Sequence, residues 1–122
     1  MKKRNCFYFA VYRELWINIP GSSVTDLESS SLYPCAPSKT QFIDTLCVYK
    51  PDSDDYYGQR LRSFFRAPET GNYTFQTSCD NACQLWMSNS KLPTGKRLIV
   101  DQRRYNKQFL WDKYVSIRLD TL

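Results

Sequence analysis

The clearest alternation of hydrophobic and polar positions lies between residues 58 and 88. Tyr73, Phe75 and Thr77 alternate with Asn72, Thr74 and Gln76. Period two in aromatic and β-branched residues predicts a half-buried strand over residues 72–78. Upstream, residues 58–66 predict another strand with Leu61, Ser63 and Phe65 on one face. Pro68-Glu-Thr-Gly71 separates the two as a turn, because proline presets one φ angle and glycine accepts a positive one. Downstream, residues 84–88 predict a third strand, with Leu85 and Met87 opposed to Trp86. Cys79-Asp-Asn-Ala-Cys83 is the polar loop before it, with a cysteine at each end. Leu61, Phe65, Tyr73, Phe75, Leu85 and Met87 are the core expected from these patterns.

The rest of the chain reads in the same style. Residues 7–16 predict a first strand, and residues 23–31 hold one short helical turn, with Ser22 or Ser23 as N-cap and Asp26 and Glu28 near the positive end. Residues 40–49 predict a strand with Phe42, Asp44, Leu46 and Val48 on one face and Ile43, Thr45, Cys47 and Tyr49 on the other. Leu92-Pro-Thr-Gly95 is a turn, residues 97–101 a strand with Leu98 and Val100 against Ile99, and residues 115–119 a last strand. The fold class expected is all-β, an antiparallel, jelly-roll-like β-sandwich. No stretch reaches the ~18 apolar residues of a membrane helix. Met1-Lys-Lys-Arg4 and the apolar run to Tyr12 have the outline of a signal peptide. Arg13-Glu14 interrupts the run and no small-residue cleavage site follows, so the segment is read as a strand.

Length and composition narrow the classes. The 122 residues suffice for a single domain, residues 1–122, with one core. Aromatic residues make up 16 % of the chain, which favours β-structure over disorder. The net charge is +5, with basic residues scattered and only Lys2-Lys-Arg4 and Arg103-Arg104 adjacent. That scatter reads as a solvated surface rather than a nucleic-acid patch, and leaves an acidic polysaccharide open as a partner. Histidine is absent, which removes the commonest general base and metal ligand. Neither a phosphate-binding glycine loop nor a Gly-x-Ser-x-Gly elbow occurs. Asp54, Asp55 and Asp80 are the carboxylates available for a catalytic pair, but nothing places them together. The chain is read as a non-enzyme.

Five cysteines in so short a chain point to an oxidising compartment. Spacing favours Cys35–Cys47 and Cys79–Cys83, with Cys6 left over; zinc is the rival reading, weakened by the absence of His and of a Cys-x-x-Cys pair. Pro51-Asp-Ser-Asp-Asp55 is an acidic loop, read as solvated rather than as a calcium loop. Asn72-Tyr-Thr74 is a glycosylation sequon, with Asn72 expected to be exposed.

Four separated segments carry a family resemblance: Arg13-Glu-Leu-Trp-Ile-Asn-Ile-Pro-Gly-Ser-Ser-Val-Thr-Asp-Leu27, Tyr57-Gly-Gln-Arg-Leu-Arg, Phe64-Phe-Arg-Ala-Pro-Glu-Thr-Gly-Asn-Tyr-Thr-Phe and Leu85-Trp-Met-Ser. In this order they resemble the PA-fourteen domain, the protective-antigen-type β-sandwich of bacterial toxins, fungal adhesins and some glycosidases. The cysteines around the acidic loop lean toward fibrocystin-like animal surface receptors. Phe109-Leu-Trp-Asp-Lys-Tyr114 is similar to the family's aromatic loop before a strand. The family normally continues with two closing strands, so the resemblance implies a fragment of a larger extracellular, cell-surface protein with those strands missing, and a marginal or aggregating stability.

What the resemblance implies about function is carbohydrate binding or adhesion. In the family's calcium-dependent lectin branch two adjacent acidic residues, joined by an unusual cis peptide, hold the ion that binds sugar hydroxyls. Those positions fall on Asp80 and Asn81. Asn81 brings no charge, and Ca²⁺ affinity follows ligand charge. Weak or no calcium binding is therefore expected. Trp86, Trp111 and Tyr105 are candidates to stack on a sugar; for each, the plainer role is core or sheet surface. The competing expectation is a non-lectin structural or protein-interaction module in a receptor ectodomain, with glycan replaced by an extracellular protein as partner. Neither reading involves nucleic acid or membrane insertion.

Overall fold

The computed structural model describes residues 8–46, 56–79, 82–103 and 113–119. Among these residues, seven strands and two short helical turns follow in the order β1 (Tyr8–Trp16), α1 (Val24–Glu28), β2 (Lys39–Thr45), β3 (Gly58–Arg62), β4 (Gly71–Thr77), β5 (Cys83–Met87), a 3₁₀ turn (Pro93–Gly95), β6 (Arg97–Gln102) and β7 (Lys113–Leu119). The protein is all-β, and every strand pair among the described residues is antiparallel. The chain forms two compact units, one built on residues 1–21 and 25–64 and the other on residues 22–24 and 65–122.

The first unit is a three-stranded sheet in the order β2-β1-β3. Its central strand β1 buries Val11, Arg13, Glu14, Leu15 and Trp16. Strand periodicity sorts the side chains into two ladders. On one face Arg13 donates from Nε to Gln59 Oε1 at 2.8 Å and from Nη1 to Gln41 Oε1 at 3.0 Å. On the other, Glu14 stands opposite Arg60, which donates from Nε at 2.9 Å and from Nη2 at 3.2 Å, and Arg62 Nε lies 3.1 Å away. This fork raises the Arg60 pKa above its ordinary value, the Glu14 hydrogen bond being the main cause and burial opposing it. The Arg60 guanidinium also lies over Trp16 and Tyr33, and Arg62 over Tyr12. Trp16 is fully buried and its Nε1–H donates to Leu32 O at 2.9 Å. Gly21 has φ +90°, a backbone conformation that glycine adopts without strain, and Gly58 packs closely against the Leu27 side chain.

The second unit holds two antiparallel ladders, β4–β7 and β5–β6, with β6 close to both β4 and β7. Burial in β4 follows the expected alternation, Tyr73, Phe75 and Thr77 half-buried and Asn72, Thr74 and Gln76 exposed. Phe65 packs edge-on against Tyr73 and Phe75 at 5.7 and 5.5 Å. Among the described residues of this unit, Ala67, Val100 and Gln102 are buried.

Several expectations change. The strand expected over residues 58–66 ends at Arg62, because the Ser63 hydroxyl turns to donate to Ala10 O at 2.7 Å. The first unit ends at Phe64, so Leu61 and Phe65 belong to different units rather than to one strand face. Leu61, Phe65, Tyr73, Phe75, Leu85 and Met87 are half-buried, whereas the buried apolar residues among those described are Val11, Leu15, Trp16, Ile19, Ala67 and Val100. A β-bulge in the β5–β6 ladder takes Leu85 opposite Val100 and Trp86 opposite Leu98. The extra residue, Ile99, puts Leu98 outward with Trp86 and Val100 inward with Leu85, so Leu98 and Val100 do not share a face. Among the described residues no helix is long and apolar enough to cross a membrane.

Candidate functional site

The β5–β6 ladder gathers the polar chemistry of the second unit. Cys79 and Cys83 are joined by a disulfide, with Cα atoms 6.0 Å apart, which closes the polar loop at the entrance to β5. Gln102, only 2 % exposed, braces the loop: its Nε2 donates to Cys79 O at 3.1 Å, and Thr77 Oγ1 donates to its Oε1 at 3.1 Å. A buried amide satisfied at both ends holds these segments in one geometry.

Along β5 the outward positions are Gln84 and Trp86. Trp86 is 44 % exposed, and its Nε1–H donates to Gln84 Oε1 at 3.1 Å. Gln84 in turn donates from Nε2 to Asp101 Oδ1 at 3.3 Å, and Arg103 Nε donates to Asp101 Oδ2 at 2.9 Å. The hydrogen bond from Arg103, helped by the Gln84 amide, holds the Asp101 carboxyl pKa below its ordinary value, with desolvation opposing it. The Lys96 ammonium lies 5.6 Å from the Trp86 ring centroid. An indole held by an amide, flanked by a cation and a carboxylate, is a platform that combines stacking with hydrogen bonding.

Of the residues expected from the sequence, the structure describes Trp86, Asn72, Cys35, Cys79 and Cys83. Trp86 is outward-facing and Asn72 is exposed. Cys35 is exposed with a free thiol, and its expected partner Cys47 lies outside the described residues. The calcium positions Asp80 and Asn81, the stacking candidates Tyr105 and Trp111, the carboxylates Asp54 and Asp55 with the acidic loop around them, and Cys6 also lie outside them. Among the described residues no group of three or more Cys, Asp or Glu side chains is placed to hold a metal ion. Gln84, Lys96, Asp101 and Gln102 join the site from positions that sequence reading left aside. The one sequence signal for Gln102 was a polar residue two positions beyond Val100, on the inward side of a strand.

No family model, no curated protein and no solved structure matches this chain.

Proposed function

We propose that this protein is an extracellular carbohydrate-binding or adhesion module, built as a PA-fourteen-type β-sandwich of a fibrocystin-like surface protein, and that it acts by binding rather than by catalysis. The observation that carries the reading is the outward Trp86, oriented by Gln84 and standing on the strand that begins at the Cys79–Cys83 disulfide. An exposed indole offers an apolar face to a sugar ring, while Gln84, Asp101 and Lys96 offer donors and acceptors to its hydroxyls. The disulfide is in keeping with an oxidising, extracellular setting. The family resemblance supplies the substrate class. Any calcium sits at Asp80 and Asn81 and binds weakly, since Asn81 contributes no charge.

A glycan array probed with and without EDTA, using the native protein and Trp86→Ala, tests this. The expected result is binding that Trp86→Ala abolishes and that EDTA leaves largely intact. Loss with EDTA would assign the calcium role to Asp80 and Asn81, to be checked with Asp80→Ala. Silence of the native protein in both arms would overturn the lectin reading in favour of a protein-interaction module.

A further inference from the structure

The residues around Trp86 also set the charge of the platform. Lys96 leaves the 3₁₀ turn in an extended backbone conformation, φ −68° and ψ 146°, and its N–H donates to Pro93 O at 3.1 Å. In extended backbone, Lys96 and Leu98 fall on the same side, and Leu98 stands opposite Trp86. The exposed Lys96 ammonium accordingly lies 5.6 Å from the Trp86 ring centroid. Asp101 does not balance this charge. Arg103 Nε donates to one of its oxygens at 2.9 Å and the Gln84 amide to the other at 3.3 Å. Lys96 has no ion-pair partner among the described residues. Around the indole, two cations therefore face one carboxylate that is already paired. A ring that stacks on the side of Trp86 covered by Lys96 has to displace the ammonium from its cation–π contact. A neutral sugar displaces it without offering a charge in return. A sugar with a carboxylate or sulfate group gives it a charge-assisted hydrogen bond, which is stronger than an exposed cation–π contact. The flexible lysine stem lets the ammonium move from the ring to that group.

We propose that the Trp86–Lys96 platform selects an acidic sugar, whose ring stacks on Trp86 while its carboxylate or sulfate pairs with Lys96. This rests on the glycan-binding reading and adds to it the class of sugar. The net charge of +5 draws acidic polymers from a distance. A nucleic-acid track would need a series of phosphate contacts, and beside this indole a single cation is left uncompensated.

The test is a glycan array at fixed salt in which each neutral oligosaccharide is matched by its uronic-acid and its sulfated counterpart. The tightest acidic ligand and its neutral match are then titrated by calorimetry. The expected result is an acidic member bound about tenfold or more tighter than its match, a preference that Lys96→Gln removes and Lys96→Arg keeps. The better of the two acidic groups identifies the anion. Lys39→Gln takes the same charge from an exposed position of β2 and should leave the preference within about twofold. Should Lys96→Gln lose its strand signal in circular dichroism, Lys96→Met takes its place. Binding that depends on Trp86 but shows no acidic preference would overturn this proposal and keep the glycan-binding reading. Silence of the whole array, acidic members included, would sink both. An acidic preference that survives Trp86→Ala, or that Lys39→Gln removes as fully as Lys96→Gln, would reduce the effect to net charge and overturn the proposal. So would tighter binding of single-stranded oligothymidylate that depends on both Trp86 and Lys96.

Discussion

The two units use the same kinds of residue for opposite ends. In the β2-β1-β3 sheet, cations are paired with carboxylate and amide partners. Glu14, 4 % exposed, is gripped by Arg60 and reached by Arg62, and Arg13 is held by Gln41 and Gln59. In the β4–β7 unit, Lys96, Arg97 and Arg118 face solvent without an ion-pair partner among the described residues. The tryptophans divide likewise: Trp16 is fully buried and donates to a backbone carbonyl, while Trp86 is 44 % exposed and donates to a neighbouring side chain. A central strand paired on both sides can surround a charge with partners. A two-stranded ladder leaves a face open, so its side chains are available to a ligand. The two settings are separated by strand pairing rather than by residue type.

The sharpest test exchanges the tryptophans. Trp16→Ala removes a fully buried ring and should cost about 3–5 kcal/mol in a urea melt. Trp86→Ala should cost less than about 1 kcal/mol while abolishing glycan binding. Similar losses of stability from both would erase the distinction. Next comes Glu14→Ala, which strands Arg60 and Arg62. Since the Arg62 side chain is 54 % exposed and the Arg60 side chain 25 %, solvent softens the penalty to about 2–3 kcal/mol. Lys96→Ala should be nearly neutral by comparison, losing only an exposed cation–π contact of about 0.5–1 kcal/mol. A loss from Glu14→Ala no larger than that from Lys96→Ala would show that the Glu14 network is ornamental.

The disulfide should matter less. Cys79→Ser/Cys83→Ser opens a very short loop, for which the chain-entropy account allows at most about 2 kcal/mol. Its effect should be larger on glycan affinity than on the melt, and the reverse order would make the bridge a scaffold element. The smallest effect concerns pH. Arg103 and Gln84 lower the Asp101 pKa in the folded protein, so its contribution is complete above the unfolded-state value and lost as pH falls through the folded one. An NMR titration should find Asp101 titrating below the ordinary carboxylate range and moving upward in Arg103→Ala; an unmoved titration would remove Arg103 as the cause.

Local pattern made much of the fold legible. The alternation of Tyr73, Phe75 and Thr77 marked β4 and its inward face, Pro68 and Gly71 marked the turn before it, and the spacing of Cys79 and Cys83 marked a bridge that the structure forms. The all-β class followed from the same signals. The site was only partly legible. Trp86 stood out as an aromatic opposed to Leu85 and Met87, but Gln84, Asp101 and Gln102 are ordinary polar residues until the register places them.

Alternation, turn residues and cysteine spacing are properties of a few neighbouring residues, so the sequence by itself determined which segments extend and which side of β4 turns inward. Partner choice is different. β3, β4 and β5 follow one another along the chain, yet β3 pairs with β1, β4 with β7 and β5 with β6. Only the tertiary structure decided this, because pairing depends on the fit of distant side chains across a ladder, as where Glu14 meets Arg60 from 46 residues away. It also decided the bulge at Ile99, which turns Leu98 outward beside Trp86, since one inserted residue reverses the faces of all that follow.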